Sequence, residues 1–272
     1  MVFHEKIGFI GGGKMAEALI KGILKANLVD PRHVMAVDPD PARRELLRSE
    51  YAVVVTDQPE RVWKECRIIL LAVKPQVMGK LLNDSREFVL SDHLIISIAA
   101  GIPISFLEGN LAGCGCRVIR VMPNTPAIVQ EGASALSLGS RATVEDMELA
   151  RRIFDAVGTS VVLDEVYLDA VTGLSGSGPA YVFTFIEALI DAGLKVGLSH
   201  QVARTLVLQT VLGATRLAME SSEHPAQLRA MVTSPGGTTI AGLHCLESAG
   251  FRGIIMDAVE AATRRSRELG GC

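Results

Sequence analysis

A glycine-rich segment near the start of the chain limits the folds open to it more than any other feature. The sequence reads Ile7-Gly-Phe-Ile-Gly-Gly-Gly-Lys-Met-Ala16, with the spacing G-x-G-x-x-A at Gly11, Gly13 and Ala16. By itself this spacing also fits an ordinary tight turn between a strand and a helix. Here an apolar run precedes it, a helical pattern follows it, and Asp38 ends the next predicted strand, 22 residues after Ala16. Together these features predict a dinucleotide-binding turn, in which Gly11 makes the bend and Gly13 admits a pyrophosphate.

The rest of the first half continues this strand–helix alternation. Short apolar runs, from residues 7–10 to residues 160–163, alternate with amphipathic helical patterns, which is typical of βαβ units. After Leu163 only helical patterns follow. The sequence therefore predicts an α/β Rossmann-type N-terminal domain with a mostly parallel sheet over residues 1–163. An all-α domain that binds substrate and forms dimers is predicted over residues 164–272.

Charge and hydropathy exclude several classes of function. The net charge is −3 and the pI is near 6.1, without a basic stripe, so no nucleic-acid partner is expected. The longest apolar run, residues 68–73, is far too short to span a membrane. Five cysteines without metal-like spacing, and no secretory pattern, predict a cytoplasmic protein without a metal site.

One predicted helix in the second domain is apolar on nearly all sides. It covers residues 179–196 and starts with Pro179, which is tolerated in the first turn of a helix. Because a helix that is apolar all round must be buried, we expect this one to pack against another subunit.

Several loops could contact a ligand, and the residues alone leave their roles open. Ala72-Val-Lys-Pro75 and Ala99-Ala-Gly101 follow predicted strands, where ligands bind in doubly wound sheets. From position alone, Lys74 fits a solvated lysine better than a ligand contact. Thr172-Gly-Leu-Ser-Gly-Ser-Gly-Pro-Ala180 fits a capped helix start or a close backbone approach. Met231-Val-Thr-Ser-Pro-Gly-Gly-Thr-Thr239 fits a turn between helices or a carboxylate site made of hydroxyl and N–H groups.

The last of these loops lies in a segment, residues 225–247, that resembles the signature of pyrroline-5-carboxylate reductases. Gly8-Phe-Ile-Gly11, Ala72-Val-Lys-Pro75, Ala99-Ala-Gly101, Met122-Pro-Asn-Thr-Pro126 and Gly173-Leu-Ser-Gly-Ser-Gly-Pro-Ala-Tyr181 also match, in order and at the spacing of the family. The resemblance covers essentially the whole chain. It implies an oxidoreductase that reduces 1-pyrroline-5-carboxylate to L-proline with NADPH or NADH, the last step of proline synthesis. It also implies a homodimer that can assemble further into a decamer.

The resemblance further implies roles for individual residues. The pyrophosphate would be held by Ile10, Gly11, Gly12, Gly13, Lys14 and Met15. Asp38 and Asp40 would lie beside the adenosine ribose, Val73, Lys74 and Ala100 beside the nicotinamide, and Met231 beside cofactor bound to the other subunit. The substrate would be bound by Ser234, Gly237, Thr238 and Thr239, with Glu165 close to it.

The reaction needs little more than these groups. We predict that the hydroxyl of Thr239 hydrogen-bonds the imine nitrogen, and that the proton arrives with the substrate or from water, because a hydroxyl is a poor acid at neutral pH. Asp38 favours NADH, since a carboxylate accepts a hydrogen bond from a ribose 2′-OH and repels a 2′-phosphate. Arg43 and Arg44, at the start of the next helix, could offset that repulsion.

Two alternatives stay open on the residues alone. A β-hydroxyacid-type or phosphogluconate-type dehydrogenase would need a catalytic lysine in the second domain, where Lys195 stands near a helix end. A non-enzymatic NAD(P)-sensing protein would not need the hydroxyl-rich loop at residues 234–239.

Overall fold

The first part of the chain folds around a single twisted sheet. The structure, a computed structural model, describes residues 5–270. The strands are β1 Ile7–Ile10, β2 Val34–Val37, β3 Val54–Thr56, β4 Ile68–Leu71, β5 Leu94–Ser97, β6 Arg117–Met122, β7 Gly132–Leu138 and β8 Gly158–Val162. They form an eight-stranded sheet in the order β3-β2-β1-β4-β5-β6-β7-β8. All neighbouring strands are parallel except β6 and β7, which confirms the predicted mostly parallel sheet.

Helices cover both faces of this sheet. They are α1 Lys14–Lys25, α2 Pro41–Tyr51, α3 Pro59–Glu65, α4 Pro75–Ser85, α5 Ile104–Asn110 and α6 Val144–Asp155. One core contains Phe9, Leu19 and Phe154, and the other contains Trp63 and Met78. Every residue of β4 is buried, as expected for a central parallel strand whose two faces both lie under helices.

Local sequence sets where several of these helices begin. Proline occupies the first position of α2, α3 and α4, where a missing N–H removes no helical hydrogen bond. Thr143 and Asp146 form a reciprocal capping box at the start of α6. These local features fix the first residues of the four helices.

After β8 the chain is helical, as predicted. A 3₁₀ turn at Glu165–Tyr167 and a short helix α7, Leu168–Val171, lead into a π-helical turn at Thr172–Gly176. The remaining helices are α8 Gly178–Lys195, α9 His200–Glu220, α10 Pro225–Met231, α11 Thr238–Ser248 and α12 Phe251–Leu269. None of the helices among residues 5–270 has the length and apolar character needed to cross a bilayer.

The chain divides into two compact units. The first contains the residues up to Ser177 together with those from Ala261 onward, and the second is Gly178–Glu260. The division into compact units falls after the π-helical turn, and the domain boundary between residues 163 and 164 stays a prediction. The division falls there because this turn packs on the sheet: the amide of Asn124, just beyond β6, donates a hydrogen bond to the carbonyl of Ser175.

The helices of the second unit leave a large apolar surface uncovered by their own chain. Helix α8, which the structure describes in full, has no buried residue. Phe183 is 64% exposed, and Val182 and Leu206 are also exposed. Such a surface is what the sequence predicts for helices that pack against another subunit.

Candidate functional site

The carboxyl ends of β1 and β4 lie side by side at a switch point of the sheet in the first unit. The chain runs from β1 outward to β2 and β3 and then returns to β4 on the other side of β1, so the strand order reverses between β1 and β4. The two strand ends are joined by a hydrogen bond from the Ala72 N–H to the Ile10 carbonyl, 2.8 Å long. In doubly wound sheets this switch point is where ligands bind.

Two glycines of the loop after β1 are required for different reasons. Gly11 has φ +100°, and a Cβ there would lie 2.5 Å from the carbonyl oxygen of Ala72. The fold itself therefore demands glycine at this position. A Cβ on Gly13, in contrast, would have no protein atom within 4 Å. Protein packing does not require glycine at Gly13, but a ligand that approaches the backbone closely would.

The start of α1 offers unpaired N–H groups beside that space. Gly13 is the N-cap residue and has no side chain to cap the helix, and the first N–H bonded across the cap is that of Glu17, to the Gly13 carbonyl. Within the described chain, the N–H groups of Lys14 and Met15 have no partner, as is usual in a first helical turn. Because the helix dipole also favours anions here, the residues present fit a pyrophosphate.

Two of the predicted phosphate ligands are less available. The Gly12 N–H donates to Oδ2 of Asp38, 2.8 Å away, so it is not free for a phosphate. The Ile10 side chain lies in the core, and its carbonyl accepts from Ala72. Lys14 is exposed, and its Nζ lies 3.4 Å from Glu17.

The segment after β2 is held by its own hydrogen bonds. Asp38 accepts from the Asp40 N–H through Oδ1, and Asp40 caps α2 by accepting from the Ala42 N–H. Arg44 donates to the carbonyls of Asp38 and Pro39. Both carboxylates are thus held in ordered positions just beyond the carboxyl end of β2, with acceptor capacity to spare.

The predicted nicotinamide side lies at the ends of β4 and β5. Val73 is half-buried, Lys74 is exposed as the N-cap residue of α4, and Ala100 is exposed. Gly101 turns the chain with φ +73°. The structure therefore brings these residues to the same sheet edge as residues 11–13, the glycine loop.

Glu165 is engaged by a buried cation that sequence reasoning missed. Arg120, in the middle of β6, has only 8% of its side chain exposed and donates to Oε1 of Glu165 at 2.8 Å. The same Oε1 accepts from the Ile104 N–H at 2.7 Å, and so caps α5. The sequence does contain a signal for this ion pair, because Arg120 interrupts the apolar run Val118–Val121 and a buried charge needs a partner.

The π-helical turn is attached to the sheet by Asn124, which was also missed. Asn124 is buried, accepts from the Ala133 N–H at 2.8 Å and donates to the Ser175 carbonyl at 3.0 Å. The hydroxyls of Thr172 and Ser175 bond to carbonyls one turn back in their own helix. This segment therefore presents backbone rather than hydroxyl groups.

The loop at residues 234–239, in the second unit, repeats the chemistry of an uncapped helix start. Gly236 has φ +66°, and the Gly237 N–H bonds back to the Ser234 carbonyl. Gly237 is the N-cap residue of α11 and provides no side-chain cap. The N–H groups of Thr238 and Thr239 have no partner within the described chain, nor have their hydroxyls. The loop thus collects donors suited to a small carboxylate.

A cavity of about 820 Å³ lies beside this loop, between α10 and α11. Gly236 and Gly237 line it, together with the ion pair of Arg229 and Glu247. Ser234, Thr238 and Thr239 are not among its lining residues. Within this loop the cavity is thus lined by the two glycines and not by the hydroxyl-bearing residues. Met231, at the end of α10, is exposed.

Within residues 5–270, neither the two buried cysteines nor any cluster of metal-binding side chains is suited to catalysis. Burial raises the pKa of Cys66 to about 12 and that of Cys116 to about 11, so neither is a nucleophile near neutral pH. No group of three histidine, cysteine or acidic side chains in this range could hold a metal ion.

Comparisons with known proteins match both units. A family model described as pyrroline-5-carboxylate reductase dimerisation matches residues 165–269, and one described as NADP oxidoreductase, coenzyme F420-dependent, matches residues 6–101. The pyrroline-5-carboxylate reductase of Methanosarcina acetivorans is 47% identical over 267 residues, 98% of each chain. That of Arabidopsis thaliana is 46% identical over 265 residues, 97% of this chain and 95% of the plant protein.

Solved structures give the same result. A crystal structure of pyrroline carboxylate reductase from Plasmodium falciparum with NADP bound is 35% identical, with a TM-score of 0.89 over 99% of this chain and 100% of that one. The pyrroline-5-carboxylate reductase of Coxiella burnetii is 33% identical, with a TM-score of 0.92 over 98% and 99% of the two chains.

Proposed function

The chain belongs to the pyrroline-5-carboxylate reductase family, and on that premise we propose how its own residues carry out the reaction. It is an oxidoreductase that reduces 1-pyrroline-5-carboxylate to L-proline with NAD(P)H. The alternatives of a β-hydroxyacid-type dehydrogenase and of a non-enzymatic sensor are set aside by relatives that match along nearly the whole chain.

One observation carries the assignment of residues: helices α1 and α11 both begin at a glycine N-cap that provides no side-chain cap. At α1 the open space over Gly13 and the N–H groups of Lys14 and Met15 suit the pyrophosphate. At α11 the N–H groups of Thr238 and Thr239 suit the carboxylate of the substrate. Both ligands are anions, which helix N-termini stabilise.

The Thr239 hydroxyl is assigned to the imine nitrogen. When bound, the nicotinamide supplies the hydride that adds to C5 of the substrate ring. The side chain of Thr239 is held by the first turn of α11, so its oxygen stays near N–H groups that would hold the carboxylate. The hydroxyl supports the developing charge by hydrogen bonding, and most of the rate enhancement comes from the placement of the two reacting carbons.

We assign Glu165 to the substrate through one of its two carboxylate oxygens. Its Oε1 is engaged by Arg120 and by the Ile104 N–H, which leaves Oε2 for a contact with the ring or with water. Ser234 and Gly237 shape the loop, and Met231 is assigned to the cofactor bound by the partner.

We assign to this enzyme a kcat/KM with NADH at least equal to that with NADPH. The carboxylate of Asp38 is anchored at the end of β2 by the N–H groups of Gly12 and Asp40. It therefore stays where a ribose 2′-OH would donate to it and a 2′-phosphate would be repelled.

The assigned assembly is a homodimer that can build a decamer. The exposed apolar residues of α8 and the dimerisation model over residues 165–269 support self-association. A cytoplasmic location is supported by the four cysteines of the described chain, which are all unpaired thiols.

A steady-state assay with 1-pyrroline-5-carboxylate and each nicotinamide cofactor tests the proposal. We expect proline formation with both cofactors, and kcat/KM with NADH at least equal to that with NADPH. A purified oligomer that binds NADH and forms no proline would contradict the assignment.

A further inference from the structure

The peptide groups on both sides of Gly12 are held by side chains from the β2–α2 segment. Asp38 accepts from the Gly12 N–H at 2.8 Å. The guanidinium of Arg43 donates to the Gly12 carbonyl oxygen through Nε at 2.8 Å and through Nη2 at 2.6 Å. In the glycine loop, the peptide group before Gly12 thus bonds to a carboxylate, and the peptide group after Gly12 bonds to a guanidinium.

The hydrogen bonds from Arg43 to the Gly12 carbonyl also fix the direction of the next N–H group, that of Gly13. In a planar trans peptide the C=O and N–H bonds point in opposite directions. Because Arg43 draws the Gly12 carbonyl toward itself, the Gly13 N–H of the same peptide points away from Arg43. This N–H has no protein partner within the described chain, and a Cβ on Gly13 would lie in open space.

Arg43 does not act mainly as a free positive charge. Its Nη2 also donates to Oε2 of Glu17 at 2.8 Å, and both side chains are mostly buried. Burial opposes ionisation of Glu17, but the hydrogen bond and charge of Arg43, assisted by Lys14, hold the pKa of this carboxyl below its usual value. Tyr51 donates to the other oxygen of Glu17. The cation is therefore neutralised and fixed in place, which suits a positioning role.

We propose that Arg43 is a positioning residue that aims the Gly13 N–H at the cofactor pyrophosphate, with Glu17 holding the guanidinium in register. The inference rests on the proposed dinucleotide site. It assigns Arg43 to the pyrophosphate, which NADH and NADPH share, and not to the 2′-phosphate, which only NADPH carries.

The test measures binding to the full-length protein without turnover. Wild type, Arg43→Ala and Arg43→Lys are titrated with NADH, NADPH, ADP-ribose and 2′-AMP, and the melting temperature of each variant is recorded. Arg48→Ala is the matched control, because Arg48 lies on the exposed face of the same helix and pairs with Glu45. It removes an arginine from α2 without touching the glycine loop.

We expect Arg43→Ala to raise the Kd of NADH, NADPH and ADP-ribose by similar factors of about 10 or more, since one charge-assisted donor to phosphate is misaligned. The Kd of 2′-AMP, which has no pyrophosphate, and all Kd values of Arg48→Ala should stay at wild-type levels. Arg43→Lys keeps the charge without the two-pronged grip and should recover part of the loss.

Three results would overturn the inference. These are a loss confined to NADPH and 2′-AMP, an equal loss for all four ligands with a lowered melting temperature, or no change in the Kd of ADP-ribose. The proposed function is judged separately, by proline formation in the wild type. If the wild type forms proline while Arg43→Ala binds ADP-ribose normally, the inference alone fails.

Discussion

Replacement of Gly13 by alanine should separate cofactor binding from folding. The residue has φ −66°, which alanine adopts without strain, and an added Cβ would meet no protein atom within 4 Å. Alanine stabilises such a position by about 0.4–1 kcal/mol through the unfolded chain. As an N-cap residue it is less favourable than glycine by a similar amount. The two effects largely cancel, so the melting temperature should change by no more than about 4 °C.

Cofactor binding should respond strongly to the same methyl group. It would stand where the pyrophosphate approaches the backbone, and an extra methyl in a filled site typically costs about 1–3 kcal/mol. The Kd of NADH should then rise by a factor of about 5 to 150. NADPH and ADP-ribose should lose affinity to the same extent, because they share the pyrophosphate.

The assay is titration of NADH by fluorescence, with the melting temperature measured on the same samples. Gly11→Ala is the contrasting variant, since φ +100° and the approach to the Ala72 carbonyl make it destabilise the fold itself. Wild-type affinity for NADH in a folded Gly13→Ala protein would refute the placement of the pyrophosphate over this residue.

Four further outcomes are expected. Asp38→Asn keeps an acceptor for the Gly12 N–H but removes the charge, so the ratio of kcat/KM for NADPH to that for NADH should rise about fivefold or more; an unchanged ratio in both this variant and Asp38→Ser would show that Asp38 does not set the preference. Thr239→Val keeps the volume and loses a hydrogen bond worth about 1.5–3 kcal/mol, so kcat/KM should fall about 10- to 150-fold with the fold intact, and an unchanged value would end the role of this hydroxyl. Phe183→Glu places a charge on the exposed face of α8 and should yield monomers by light scattering, whereas native mass and activity would place the interface elsewhere. Burial lowers the pKa of His93, so the unfolded chain binds a proton at pH values where the native state does not. The free energy of unfolding should therefore fall as the pH drops below about 6.5, by at most about 1.4 kcal/mol per pH unit. His93→Gln should flatten this slope in urea titrations.

The sheet could be predicted because its signals are local. An apolar run such as residues 68–71 becomes a strand buried on both faces, and prolines at the first positions of α2, α3 and α4 mark where those helices begin. The same holds for the glycine-rich loops at residues 11–13 and 234–239, where the spacing of the glycines predicts a bend before a helix. The all-helical second region likewise follows from helical periodicity without any strand pattern.

The extent of the first compact unit was not predictable in this way. The π-helical turn joins the sheet because Asn124 reaches the Ser175 carbonyl, a contact between residues far apart in the sequence. Helix α12 begins in one unit and ends in the other, and its part in the first unit includes a hydrogen bond from Ser266 to Asp169. Periodicity along the chain carries no information about such pairings.

The sequence by itself determined which residue types stand at the sheet edge and at the start of α11. Only the tertiary structure decided which of their groups are free to bind. Gly12 and Gly13 are neighbouring glycines of identical chemistry, yet the N–H of Gly12 donates to Asp38 while that of Gly13 has no partner within the described chain. Likewise Arg43 is committed to the Gly12 carbonyl and to Glu17. The physical reason is that a hydrogen bond depends on the distance and direction between groups, and these are fixed only when strands and helices distant in sequence have packed together.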